Sequence, residues 1–309
     1  MSASRRGATS LRGVLLVDKP SGFTSHDVVG RIRRITGERR VGHAGTLDPM
    51  ATGLLVVLVG PFTRLEPFLS AADKTYDARI VFGSATDTDD AEGAVIEQLP
   101  VPDSAMDAEF AARIVASLVG PSMQMPPVYS AIKVGGRTAH RVARKGGDIE
   151  LAPRAVIVHE ATLLDVDPGS SSWHVRFRVS KGTYVRALAR DLGRAVGSAA
   201  HLAALRRVSS GPLEVCDALT LDALERGEVE SSFIDPLQAI EMVRVVALPG
   251  DVLAGRSIDA PAELVSSEGA NHAVTDSSGS LLAIYVRRGT TLRPVAVFPR
   301  DPASEEAGR

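Results

Sequence analysis

The sequence predicts an α+β fold closed by a small C-terminal β domain. Three observations carry this. Strand-like segments outnumber helical ones, they lack the regular strand–helix alternation of a doubly wound fold, and beyond about residue 240 only short strands and turns remain. Val14-Leu15-Leu16-Val17 reads as a short buried strand. Val28, Val29, Ile32 and Ile35 then share one helix face, with Arg31, Arg33 and Arg34 on the others. Tyr76-Asp77-Ala78-Arg79-Ile80-Val81-Phe82 is strand-like, and the Gly- and Asp-rich run after it is a loop. Phe110, Ile114, Val115 and Leu118 mark an amphipathic helix. Trp173, Val175, Phe177 and Val179 alternate with His174, Arg176, Arg178 and Ser180, the pattern of a half-buried strand. Gly182 permits a turn, Thr183 suits a helix cap, and Val185, Leu188, Ala189, Leu192 and Val196 form an apolar face, which puts Arg186 in a first helical turn. Leu205, within His201-Leu202-Ala203-Ala204-Leu205-Arg206-Arg207, reads on its own as helix core. A boundary falls near residues 236–245; Val243–Val246, His272–Val274, Leu281–Val286 and Val295–Phe298 follow as short strands. The polar segments 1–10 (basic) and 301–309 are expected to be disordered.

The segment most informative for function is Gly42-His43-Ala44-Gly45-Thr46-Leu47-Asp48-Pro49-Met50-Ala51-Thr52-Gly53. It places one carboxylate in a glycine-bounded loop before the apolar run Leu54–Val59. Glycines permit turns and close approach, and Pro49 disfavours a helical conformation for Asp48. The same residues also suit a helix N-cap with proline in the first turn, and spacing alone does not separate the two.

Composition narrows the class. A length of 309 residues with 44% hydrophobic content suits about two domains with a sizeable core. The formal charge is only −2, but Ala131–Ser210 carries 14 Lys and Arg against six Asp and Glu, while acids gather at Asp87, Asp89, Asp90 and Glu92. Such asymmetry suits a basic face addressed to phosphates. Cys216 is the only cysteine, so no internal disulfide forms and zinc sites built on paired cysteines are excluded. No apolar run approaches the ~20 residues that span a bilayer, and no signal-peptide pattern opens the chain, so a cytoplasmic protein is expected. The seven histidines show no metal-ligand spacing, so neither a metal nor a cofactor is expected. Nothing points to an obligate oligomer or protein partner.

The glycine-bounded loop resembles the active-site loop of the tRNA pseudouridine synthase B family, whose pattern reads GHxGxLDPxATG. Four further blocks resemble the family in its own order: Val17–Asp27 (VDKPSGFTSHD), Asp73-Lys74-Thr75-Tyr76, Pro126–Lys133 (PPVYSAIK) and Lys181-Gly182-Thr183-Tyr184-Val185-Arg186. Together the blocks span roughly residues 11–210. Ala44 stands where the family often has Thr, and the tail beyond residue 240 resembles the family least.

The resemblance implies a pseudouridine synthase-like mixed, mainly antiparallel sheet over 11–240, an RNA-clamping insertion at about 124–154 and a PUA-like domain at 241–300. It implies isomerisation of uridine 55 in the T-loop of tRNA, with the tRNA T-arm as partner and no cofactor. Pseudouridine formation breaks C1′–N1, turns the uracil and makes C1′–C5, so it needs one carboxylate, a cation to orient it and a pocket for a flipped base. By match to the family, Asp48 is the carboxylate; attack at C1′, attack at C6 and removal of the 2′ proton all remain open to it. Arg186 is its cationic partner, expected to lower its pKa. Tyr76 stacks on the uracil, a contact worth about 1–3 kcal/mol. Tyr184 and Leu205 line the base pocket, and His43 fills the space that the base vacates. Lys19 and Lys133 are basic positions near the site that orient loops or touch phosphate. Gly135-Gly136, Gly146-Gly147, Arg137, His140, Arg141, Arg144 and Lys145 supply the clamp's hinges and charge. From the residues alone, the reading stops at an α+β protein with a basic face and one candidate acid. An RNA-folding factor without chemistry is the alternative, and the intact Asp48, Tyr76 and Arg186 set argues against it.

Overall fold

The structure is a computed structural model that describes Thr9, residues 11–129, 151–227 and 229–299. Between 130 and 150 it describes only the backbone strands Lys133–Val134 and Arg137–Thr138. The chain begins with β1 (Gly13–Lys19), α1 (Ser25–Thr36), β2 (Val41–His43), β3 (Thr52–Val59) and β4 (Lys74–Phe82). It continues through α2 (Ala108–Ala116), β5 (Gly120–Gln124), β6 (Arg154–Asp167), β7 (Ser172–Val179), α3 (Val185–Ala195), β8 (Ala200–Ser210) and β9 (Leu219–Thr220). One sheet runs in the order β9-β1-β3-β8-β4-β7-β6-β5, with β2 paired to β3. Only the β1–β9 and β3–β8 pairings are parallel, so the sheet is mixed and mainly antiparallel, as expected.

The two halves of this sheet are buried differently. The run Leu54–Val59 is apolar at every position, and β1 and β3 are covered on both faces. Val28 and Ile32 of α1 pack with Leu15, Val17, Leu55 and Val57 on one side. On the other, Val14, Leu16, Leu54 and Val56 join Ile284, Ala296 and Phe298 from the C-terminal sheet. By contrast, β4, β6, β7 and β8 bury one face against α2 and α3, around Trp173, Phe177, Leu188 and Leu192. Their outer face is polar, which is what the alternation in Trp173–Ser180 prescribes.

Local signals set the ends of α1. Asp27 N donates to Thr24 Oγ1 at 3.1 Å while Thr24 N donates to Asp27 Oδ2 at 2.8 Å, a reciprocal cap, and Gly37 closes the helix in the left-handed region at φ 66°. The expected cap at Thr183 does not form: its Oγ1 donates to Ser180 O at 2.9 Å, and Tyr184 takes the N-cap position of α3.

Leu205 also departs from its expected helix. It lies in β8, where a bulge between Leu202 and Ala204 inserts one residue into the pairing with β4. The extra residue brings Leu202 and Leu205, three apart, to the same face and so imitates helical spacing.

The C-terminal β unit pairs β10 (Val243–Val246), β11 (Ile258–Asp259), β12 (Asn271–Thr275), β13 (Leu281–Arg288) and β14 (Thr291–Val297) in the order β10-β12-β13-β14-β11. Phe298 and Phe62 rings meet at 5.2 Å, and Arg64 Nη1 donates to Val297 O at 2.7 Å. No helix among the described residues is long and apolar enough to cross a membrane.

Candidate active site

Asp48 sits in the loop between β2 and β3. Ala51 N donates to Asp48 O at 3.1 Å and Gly22 N to Pro49 O at 2.9 Å, so the chain turns at Pro49 and enters a strand. The helix-cap alternative for Asp48-Pro49 therefore fails. Ser25, 1% exposed, fixes the approach to the acid: Leu47 N donates to its Oγ at 2.9 Å and that Oγ donates to Leu47 O at 3.2 Å.

Arg186 stands in the first turn of α3, as expected. Its Nη2 donates to Asp48 Oδ1 at 3.3 Å, and its Nε lies 3.0 Å from Asp48 Oδ2. One hydrogen bond from Nη2 and the close approach of Nε, which makes no hydrogen bond of its own among the described residues, hold the carboxylate side-on to the guanidinium. The Arg186 side chain is 6% exposed and that of Asp48 34%, so the carboxylate is the member open to a substrate. The far edge of the guanidinium is also engaged: Nη1 lies 3.3 Å from Asp90 Oδ2 and donates to Thr88 O at 3.0 Å, while Nη2 donates to Tyr129 O at 3.0 Å. Asp90 is held in turn by Thr88 Oγ1 at 2.6 Å and Glu92 N at 3.1 Å.

Arg186 does not dominate the ionisation of Asp48. Burial pushes the carboxyl above its ordinary range, Arg186 pulls it back without cancelling the rise, and Asp90 adds to it. This corrects the expectation that an adjacent cation would leave the acid with a lowered pKa. A carboxylate so placed is a stronger base and nucleophile than an exposed one.

The other expected residues divide into three groups. Tyr76 and Leu205, 9% and 8% exposed, share one apolar cluster with Leu47, the neighbour of Asp48. Tyr184 is half-buried at the start of α3, where Gln124 holds its backbone: Tyr184 N donates to Oε1 at 2.9 Å and Nε2 donates to Tyr184 O at 3.2 Å. His43 lies in β2 with its ring 6.0 Å from that of His26; burial, His26 and Arg207 all lower its pKa, so the neutral imidazole is favoured. Its Nδ1 is buried without a hydrogen-bond partner, so the simple structural role of a ring nitrogen tied to backbone is not what is found.

Lys19 is corrected as a phosphate contact. It is fully buried and donates to Phe23 O at 2.6 Å, Pro20 O at 3.0 Å and Pro49 O at 3.2 Å, joining two loops beside Asp48. Burial lowers its pKa to about 8. The Lys133 side chain lies outside the described residues, as do residues 1–8, 10 and 300–309 and the clamp residues Gly135, Gly136, His140, Arg141, Arg144, Lys145, Gly146 and Gly147; of Arg137 only the backbone is described.

Sequence reasoning missed Asp90, Ser25 and Gln124 as supports of this site. Asp90 carried a signal, the acidic run Asp87–Glu92; a lone Ser or Gln carries none.

A groove of about 820 Å³ touches the Asp48 loop at Met50 and Thr52 and reaches Leu205, but spreads over the outer sheet face among Asp77, Arg79, His174 and Arg206. Those charges are already paired, Asp77 with Arg176 at 2.7 Å, Arg79 with Asp167 at 2.9 Å and Arg206 with Asp18 at 2.7 Å. Among the described residues, no three His, Cys, Asp or Glu side chains converge as a metal site.

Comparison with known proteins supplies the family. Residues 33–185 match the family model "TruB family pseudouridylate synthase (N terminal domain)", and residues 186–243 match "tRNA pseudouridylate synthase B C-terminal domain". The tRNA pseudouridine synthase B of Opitutus terrae is 47% identical over 74% of this chain and 95% of its own length. That of Arthrobacter sp. FB24 is 40% identical over 97% of this chain and its entire length, and that of Mycobacterium tuberculosis H37Rv 41% over 96% and 98%. Among solved structures, an H/ACA RNP bound to a substrate RNA containing 2′-deoxyuridine has a chain with TM-score 0.70 at 23% identity, covering 94% of this chain and 86% of that one. An archaeal box H/ACA sRNP Nop10–Cbf5 complex gives TM-score 0.69 at 23% identity, covering 94% and 87%; both likenesses speak to the fold alone. The chain belongs to the TruB family of tRNA pseudouridine synthases, which are isomerases.

Proposed function

We propose that the protein converts uridine 55 in the T-loop of tRNA to pseudouridine, with Asp48 as the acting carboxylate. The observation that carries this is the side-on Asp48–Arg186 pair, whose cation is buried while its carboxylate stays open. The nucleotide enters flipped, at a cost of a few kcal/mol in lost stacking and pairing. Tyr76 takes one face of the uracil, Leu205 and Tyr184 close the pocket, and neutral His43 occupies the space left in the RNA. The C1′–N1 bond then breaks with its electron pair going to the base, C1′–C5 forms, and the proton lost from C5 is matched by one gained at N1. No water is consumed and no redox change occurs. Attack at C1′, attack at C6 and removal of the 2′ proton each call on the same carboxylate, which its raised basicity suits.

A single-stranded loop is the readable part of a folded RNA, which favours the T-loop over the stems. The test is incubation of purified protein with unmodified tRNA transcript, then mapping by carbodiimide labelling and primer extension. Product at the T-loop uridine alone is expected; product elsewhere, or none, overturns the reading.

A further inference from the structure

Arg207 has no place in the chemistry above, yet it is among the largest fully buried side chains, at 1% exposure. It lies in β8 opposite Tyr76 of β4 and Gly53 of β3. Its Nε donates to Leu54 O at 2.6 Å and its Nη2 to Gly45 O at 3.1 Å. These carbonyls stand on either side of Asp48, one at each end of the loop that carries it. No carboxylate pairs with Arg207 among the described residues, although a buried guanidinium without one bears a desolvation cost. A guanidinium presents donors on separate edges, and here two of them hold two carbonyls nine residues apart.

The loop's glycines are fitted to the same residue. Gly45 has φ 103°, and a Cβ there would lie 3.4 Å from Arg207 Nη1. Gly53 has φ 98°, and a Cβ there would lie 2.3 Å from Arg207 O and 2.8 Å from Arg207 N. Two left-handed glycines thus face one arginine, one against its guanidinium and one against its backbone.

We propose that Arg207 is a positioning residue for the isomerisation, fastening both ends of the catalytic loop so that Asp48 meets the flipped uridine at a fixed place. This rests on the reading of Asp48 given above. Arg207 touches neither the carboxylate nor, at 1% exposure, a phosphate. Its loss therefore acts on turnover and leaves RNA affinity alone.

The test compares Arg207→Gln, Arg207→Ala and Gly45→Ala with the parent enzyme and with Asp48→Asn, using unmodified tRNA transcript. Near-UV circular dichroism reports folding. Misplacement of a reacting group by about 1 Å costs on the order of 10²-fold, so a fall in kcat of about 10–100-fold with KM held within about twofold is expected for Arg207→Gln and Gly45→Ala. Because both act on one contact, the double variant should be no slower than the worse single one. Added guanidinium should restore part of the turnover of Arg207→Ala, a response that general destabilisation would not give. Parent-like kcat in folded Arg207→Gln, or a raised KM with kcat kept, overturns the proposal, the second result making Arg207 a phosphate contact. If Arg207→Gln does not fold, Gly45→Ala decides alone, and parent-like kcat there also overturns it. Turnover surviving in Asp48→Asn would instead defeat the active-site reading itself.

Discussion

The outer and inner sides of the same strands treat positive charge in opposite ways. On the outer face of β4, β7 and β8, Arg79, Arg176, Arg178 and Arg206 each meet a carboxylate, at 2.9, 2.7, 2.9 and 2.7 Å. On the inner side, Lys74 and Arg207 are buried and, among the described residues, donate only to main-chain carbonyls, and Lys19, under the same loop, does likewise. Water already solvates the outer charges, so their pairing adds little. The inner ones have given up water, and that burial brings the pKa of Lys19 and of Lys74 down to about 8, with Arg207 lowering both further while Asp48 and Asp73 pull the other way. Among these strand cations pairing follows exposure, whereas the buried Arg186 of α3 keeps two carboxylates, Asp48 and Asp90. The unmatched strand cations lie on the side of Asp48 and its loop.

The sharpest way to break this contrast is Asp48→Asn. Turnover should fall by at least about 10²–10⁴-fold, the range that a positioned acid or base contributes. Thermal stability should not fall with it. Because the folded pKa of Asp48 is raised, its folding contribution is present below about pH 4, the unfolded value, and is lost as pH rises through the folded pKa, so the ionised carboxylate costs stability at neutral pH. A marked drop in Tm would show that the inner side is built for stability after all.

Asp90→Asn comes next. Arg186 would keep Asp48 but lose its second carboxylate, and kcat should fall about 10–100-fold through misorientation. Asp90 also helps to raise the pKa of Asp48, so the acidic limb of the rate profile should move to lower pH. An upward move would mean that Asp90 acts only through Arg186.

Gln124→Ala should be milder, costing about 1–3 kcal/mol for a buried backbone donor and acceptor left unpaired, read as a fall in Tm with a lower kcat/KM. The smallest effect belongs to the outer face. Asp77→Asn should cost about 0.2–1 kcal/mol in a denaturant melt and leave turnover unchanged. A loss of activity there would draw the 820 Å³ groove back into the function.

How far the sequence foretold this depends on whether chemistry or geometry set each residue. Alternation in Trp173–Ser180 and the unbroken apolar run Leu54–Val59 reported one-faced and two-faced burial directly, because side-chain direction has period two in a strand. Arg186 was legible for a similar reason, since Gly182 and the apolar helix face fixed its place in a first turn. Leu205 was not, because the bulge at Leu202/Ala204 resets that period and leaves no mark in composition. The acidic run marked Asp90 without naming its partner, and Gln124 had no mark at all: they reach Arg186 and Tyr184 across about 100 and 60 residues of chain. For Lys19 the sequence left loop orientation and phosphate contact open, because nothing local foretells that three carbonyls will close over it.

The joining of Phe298 to Phe62 bears on how the chain comes off the ribosome. The strand at residues 13–19 is among the first made, yet one of its flanks awaits Ile284, Ala296 and Phe298, among the last. During synthesis that greasy flank stays bare while almost the whole polypeptide is threaded out, an invitation to chaperones and to clumping. A stop codon placed after the first sheet would therefore yield an insoluble product, with the end of the message acting as a lid for its beginning.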